Sequence, residues 1–419
     1  MVKINPFCGY YPNKKYADKV TCLPYDVFSR EEAFDIVQKN PISFLNVVKP
    51  ESNFALNIDP DVEIIHQTGL KNFNKFVRDE LLFRSSSPSF YIYRQKMGSH
   101  IQTGIVAGAS INEYSSGIIK RHELTKEDKE RDRTFHINIM NANTGSVFLV
   151  HNYNKKLHEL IDSTINLIGD PYINFVSHDD NVINQLWLIE DIDVIETIKS
   201  IYNNNINCMY IADGHHRAAA ARRVQQIRMS KNKFHNGEES YNYFLATIFS
   251  DNDLNIMDYN RVIKDLNGLD VKDIIEKISK KFKIYSLGNY DLIKPNRINE
   301  FSMYLNGKWH KLIFDLNSIS SNAPDVDLLD ASILQNNILG PIFNIDNPRT
   351  NSRIDYVGGI KGLDELVRRC NKDCKIAFAL YPITASQIIN ISDKNELVPP
   401  KSTWFEPKLR SGMVTRILD

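Results

Sequence analysis

The sequence carries no excess of charge of either sign, with 51 Lys and Arg against 51 Asp and Glu. A dedicated nucleic-acid binder presents a basic face or stripe, so no nucleic-acid partner is expected, although a local basic pocket stays open. No run approaches the ~18 consecutive apolar residues of a membrane helix, so no membrane partner is expected either. Met1 is followed by Val2-Lys3-Ile4-Asn5-Pro6, which does not read as a signal peptide. Cysteine is sparse: Cys8, Cys22, Cys208, Cys370 and Cys374 are odd in number and scattered. Cys370 and Cys374 have no second pair to complete a zinc site, so reduced thiols in a cytoplasmic protein are expected. Also missing are the Gly-x4-Gly-Lys-Ser/Thr phosphate loop and the Gly-x-Gly-x-x-Gly dinucleotide fingerprint. Any nucleotide or phosphate chemistry here would need another fold or another phosphoryl donor than those loops serve.

What is present is an ordinary globular composition, 42% hydrophobic and 24% charged over 419 residues, enough for two or three lobes. The chain is organised around Cys208-Met209-Tyr210-Ile211-Ala212-Asp213-Gly214-His215-His216-Arg217-Ala218-Ala219-Ala220-Ala221. Met209 to Ala212 is a short apolar run suited to a buried strand. Asp213-Gly214 is a turn, and the alanines that follow favour helix. Strand, tight turn and helix start place unpaired N–H groups and the positive end of the helix dipole where an anion binds. A carboxylate, two imidazoles and a guanidinium stand at that turn. An Asp-Gly turn is often only structural, but four polar groups between an apolar strand and an alanine helix are costly to bury without a ligand or one another.

The flanking chain reads as alternating strands and helices, hence α+β or mixed α/β. Ser29 and Glu32 form a capping box for a helix from Arg30 to about Lys39. Phe44 to Val48 reads as a strand, residues 66–84 as an amphipathic helix, and 90–95 with 100–110 as an antiparallel hairpin. Thr125 can cap the charged helix that follows, which leaves Arg121, His122 and Glu123 on the preceding loop. Residues 265–395 form a less distinctive lobe. The tail, Val398 to Gly412, is rich in aromatics, prolines and cations where most termini fray.

The Asp-Gly-His-His-Arg turn with its small-residue helix resembles the signature of the ParB/sulfiredoxin superfamily, whose members bind nucleotide or other phosphates there. Sulfiredoxin chemistry needs a cysteine in the turn, and here His215 and His216 occupy it. Nearly end to end, the chain is more similar to a family long filed as a domain of unknown function, some members of which are described as pyrophosphate-dependent serine kinases. The Pro-Tyr-Asp-Val-x-Ser segment at 24–29, the basic-His-Glu-x-Thr motif at 121–125 and the Pro-Pro-Lys-Ser-Thr tail at 399–403 carry that resemblance. Asn260 departs from it where the family has His, leaving Arg261 a modest candidate.

The resemblance implies a ParB/sulfiredoxin-like catalytic core over 1–264, a C-terminal α/β lobe over 265–395 and a tail, 396–419, that folds over the active site. It implies transfer of a phosphoryl group from pyrophosphate to L-serine with Mg2+, ADP or ATP being the alternative donors. A non-catalytic phosphate-binding regulator of ParB type is the other class. In the kinase reading Gly214, His215, His216 and Arg217 hold the donor, with Arg121, Arg133 and Lys401 adding charge. Asp213 or Asp26 accepts the serine proton, Glu123 stands third as base, and Asp213 or Glu123 is a possible metal ligand. His122, Thr125, Ser402 and Thr403 would contact the substrate.

Overall fold

The computed structural model describes residues 2–286, 294–320 and 322–418 and has a mixed α/β fold. It divides into two compact units, Met1–Leu254 with Pro407–Asp419, and Asn255–Glu406.

In the first unit the main sheet has nine strands among the described residues. Its order is Ile119–Lys120, Met209–Asp213, Val147–His151, Tyr243–Ser250, His100–Ser110, Phe90–Met97, Ile183–Ile189 and Ile173–Val176, with Ile4–Asn5 also on His100–Ser110. Pairing is mixed: Met209–Asp213 runs parallel to Ile119–Lys120 and antiparallel to Val147–His151. The expected hairpin forms in register from Tyr91 opposite Val106 to Met97 opposite His100. Ile105, Ala107 and Ala109 alternate onto one face of the sheet, as the period of two requires. Ile195, Ile198 and Tyr202 of the Ile192–Asn205 helix and Ala218, Ala220 and Val224 of the His215–Lys231 helix share that core. Each large aliphatic chain so buried contributes roughly 1.5–3 kcal/mol.

The Arg30–Lys39 helix carries the expected capping box, with both Ser29 and Glu32 engaged. Two expectations fail nearby. Leu45–Val48 is a helical turn, not a strand, and all four residues are buried; periodicity cannot separate so short an apolar run from a buried strand. The helix expected over 66–84 spans Val62–Arg78. Glu80, at φ 56°, turns the chain out of it, and Leu82–Arg84 pairs with Tyr10–Pro12.

The second unit is built on an antiparallel sheet ordered Phe282–Ser286, Lys308–Phe314, Glu300–Leu305, Ile376–Leu380, Tyr259–Ile263 and Ile354–Gly358. Tyr259–Ile263 lies inside this sheet, so the unit begins at Asn255 and not at 265. The tail is divided as well. Trp404–Phe405 pairs with Ile256–Met257 in the second unit, whereas Pro407–Asp419 belongs to the first.

Candidate active site

The Met209–Asp213 strand ends on an irregularity: Ile211 faces Leu149, but Asp213 faces Phe148, so the register slips within the last two residues. Gly214 then takes φ 95°, a left-handed conformation that glycine adopts at little cost. A Cβ there would stand 3.3 Å from the Val147 Cα. Gly214 is the N-cap of the His215–Lys231 helix and no side chain caps it. Its carbonyl accepts from the Arg217 and Ala218 N–H groups at 2.9 and 3.1 Å. The Arg217 N–H is thereby taken and the Gly214 N–H lies on the Asp213 carboxylate; no N-cap side chain takes the next N–H groups, those of His215 and His216, and the dipole favours an anion in front of them.

Two carboxylates and three cations gather at this turn. Lys408 places Nζ 3.7 Å from the Asp213 carboxylate. Burial pushes the Asp213 carboxyl up, but Lys408, Arg217 and the Gly214 N–H outweigh it and hold the group well below the usual carboxylate range. The Arg217 guanidinium donates to the Ser146 carbonyl at 2.5 Å and lies 3.8 Å from the Asp26 carboxylate. Asp26 sits on the Tyr25–Val27 turn with its side chain 54% exposed. The neighbouring Tyr25 ring carries Arg133 at 4.1 Å and Arg217 at 5.9 Å from its centroid. Arg133, buried on the Glu127–Met140 helix, is held by Asp132 at 2.6 Å and the Val48 carbonyl at 3.1 Å. Tyr25, Arg133, Gly145 and Arg217 line one narrow cleft.

The histidines contribute shape and donors, not charge. His122 and His215 pack edge to face, ring centroids 4.6 Å apart. Burial lowers His122 to about 4 although Asp213 opposes it, and burial with His122 alongside lowers His215 well below its ordinary value. Both are therefore neutral near pH 7, and neither His215 ring nitrogen finds a hydrogen bond. The His216 Nε2 accepts from the Lys126 N–H at 3.0 Å. An acceptor Nε2 leaves the ring proton on Nδ1, and burial again favours the neutral form.

The loop motif joins this turn through His122 and Lys126. Arg121 is exposed and Glu123 half-buried. Thr125 does not cap the helix; Lys126 is the N-cap, and the Thr125 hydroxyl donates to Glu130 at 3.0 Å. Glu130 in turn pairs with Arg223. Lys401, Ser402 and Thr403 lie in the second unit. There Lys401 stands over the Tyr259 ring at 5.5 Å and Ser402 donates to the Pro399 carbonyl at 2.8 Å. Asn260, buried in the same unit, donates to Asp258 at 2.6 Å and accepts from the Leu380 N–H at 3.0 Å, a purely structural arrangement. Sequence reasoning missed Lys408 and Tyr25. The signal was present for both: Lys408 closes the tail motif that contains Lys401, and Tyr25 precedes Asp26.

The family described as "Protein of unknown function (DUF1015)" matches residues 4–332. No curated protein matches the sequence. Among solved structures, the fold is similar to a free serine kinase in complex with AMP, at 11% identity over 72% of this chain and 86% of that one, TM-score 0.33. It is also similar to C-terminally truncated SbnI from Staphylococcus aureus, at 8% identity over 74% and 81%, TM-score 0.36. A conserved hypothetical protein from Pyrococcus furiosus matches at 11% identity over 72% and 90%, TM-score 0.33.

Proposed function

The chain belongs to the DUF1015 family, and we propose from its site that it is a phosphotransferase moving a phosphoryl group from pyrophosphate to the hydroxyl of L-serine. The observation that carries the reading is the uncapped helix start at Gly214 with Asp213, Arg217 and Lys408 converging on it. The acceptor and donor rest on the motif resemblance given above.

In this reading the helix N–H groups and Arg217 hold the pyrophosphate, with the His216 Nδ1–H as a further neutral donor. Arg133, steadied by Tyr25, supplies charge to the transferred group. The serine oxygen forms a bond to the terminal phosphorus as the bridging P–O bond breaks, giving O-phospho-L-serine and orthophosphate. The hydroxyl proton passes to Asp213 or Asp26, the carboxylates flanking Arg217. In a loose transition state the proton leaves late, so a carboxylate of low basicity can serve. Magnesium belongs to this proposal as the counter-ion of pyrophosphate, held by phosphate oxygens and at most one or two carboxylates. Among the described residues no three His, Cys, Asp or Glu side chains stand together as a metal cage, and no step depends on a resident ion.

The test is phosphoserine formation from L-serine, magnesium and pyrophosphate, with ADP and ATP run in parallel. Turnover with pyrophosphate is expected. Turnover only with a nucleotide would replace the donor, and no turnover with any of the three would overturn the reading.

A further inference from the structure

The second unit has a cleft of its own, lined among others by Tyr259, Arg261, Asp330, Tyr381, Gln387 and Ser402. Two of these are charged groups of opposite sign, and both are buried: Arg261 is 4% exposed and Asp330 8%. Buried ions are normally paired, because each carries a large desolvation cost that only a counter-charge offsets. These are not. Among the described residues no carboxylate pairs with Arg261; its guanidinium donates to the Tyr259 carbonyl and lies 5.5 Å from the Tyr356 ring centroid. Asp330 accepts from the Asn299 N–H at 2.8 Å through one oxygen, while its other carboxylate oxygen is buried without a partner. Nor do the two offset each other: burial lowers Arg261 to about 10 with only Tyr356 and Tyr259 opposing it. Burial pushes Asp330 up to about 7, relieved only by the Asn299 N–H and, outside hydrogen-bond geometry, by the nearby Tyr381 N–H, neither of them a counter-charge.

A cleft whose buried cation and buried carboxylate form no ion pair with each other is complementary to a small zwitterion. We infer that this cleft binds a free α-amino acid, its carboxylate on Arg261 and its ammonium group on Asp330. Ser402 spends its proton on the Pro399 carbonyl, so its hydroxyl is left as an acceptor on the same wall. The cleft and its zwitterion are read from the second unit alone; the choice of L-serine as the amino acid rests on the phosphoryl-transfer reading.

The experiment is calorimetric titration of L-serine into the full chain without pyrophosphate. Ethanolamine, which lacks the carboxylate, and 3-hydroxypropionate, which lacks the ammonium, are titrated beside it. L-Serine is expected to bind and each truncated analogue to bind at least tenfold more weakly. Asp330→Asn and Arg261→Lys should each weaken L-serine by thirtyfold or more, with circular dichroism reporting that the fold survives. Arg261→Lys keeps the charge and so guards against simple misfolding. Arg217→Met, in the first unit and assigned to the pyrophosphate, should leave L-serine binding to the second-unit cleft unchanged while phosphoryl transfer is lost, which separates failure of the catalytic reading from failure of this one. Absence of L-serine binding, equal binding in folded Asp330→Asn, or equal binding of ethanolamine would overturn the inference.

Discussion

Arg217 is the hinge of the first site, because it lies in the field of both Asp26 and Asp213 and shares the Tyr25 ring with Arg133. Replacing Asp213 with Asn keeps the shape of the turn but removes the charge. Phosphoryl transfer is expected to fall by about 10²–10⁴-fold with an unchanged circular dichroism spectrum; an active Asp213→Asn enzyme would exclude Asp213 as the acceptor. Lys408 gives the pH counterpart. It is the largest influence holding the Asp213 carboxyl low, and a depressed carboxylate stays ionised into acid. In Lys408→Met the Asp213 pKa rises, so the acid limb of the pH–rate profile should move to higher pH. A limb that stays in place would show that another group sets it. Gly214→Ala tests the turn itself, since a Cβ at φ 95° is strained by about 1–3 kcal/mol. Its midpoint in urea should fall accordingly, together with affinity for pyrophosphate.

At the scale of the element, Asp330 opens a short helix, Asp330–Leu334, in a buried position. Its folded pKa, about 7, lies above the ordinary carboxylate value. The sign follows directly: the contribution is fully present below about pH 4, where both states are protonated, and is lost as pH rises to about 7 while the unfolded chain ionises first. The loss is at most on the order of 4 kcal/mol. Asp330→Asn should therefore flatten the stability of the second unit between pH 4 and 7 and raise it at pH 8, read by denaturant midpoints across that range. A wild-type midpoint independent of pH would contradict the burial argument. Elements with strong local signals were legible in the sequence: the Ser29–Glu32 capping box, the 90–110 hairpin and the alanine helix all formed as their residues dictate. Leu45–Val48 was not, because four apolar residues have no period to read. The Asp213 turn was legible because polar residues interrupt an apolar context. The partners on Arg133 and Asp213 were less so, since Tyr25 and Lys408 lie over a hundred residues from them and only tertiary packing brings them together.

At the scale of the molecule, the first unit is discontinuous, closed by the last residues of the chain. That closure is invisible to local sequence rules, yet its bonds are specific. Thr415 and Tyr10 exchange backbone bonds at 2.7 and 2.8 Å, Ser411 and Cys22 at 2.8 and 3.1 Å, and Arg416–Ile417 pairs with Ala142–Asn143. Arg410, 6% exposed, is gripped by Asp179 at 2.8 Å and Asp180 at 3.3 Å, and donates to the Thr21 carbonyl at 3.2 Å. Removing one partner of a buried, hydrogen-bonded ion pair costs about 3–5 kcal/mol because the other charges stay behind, and the lower end applies here because Asp179 keeps 39% of its side chain exposed to water. Arg410→Met should lower the Tm of the first unit by roughly 6–12 °C, followed by near-ultraviolet circular dichroism or calorimetry. Deleting 407–419 should lower it further, because Lys408 and the closing strand go too. Lys408→Met, which removes a site cation but none of these backbone bonds, should leave the Tm within about 2 °C of wild type. If Arg410→Met melts at the wild-type temperature, the tail is an ornament on a unit that folds without it. If Lys408→Met melts as early as the deletion, the lysine is structural and its place at the Asp213 turn is not a functional one.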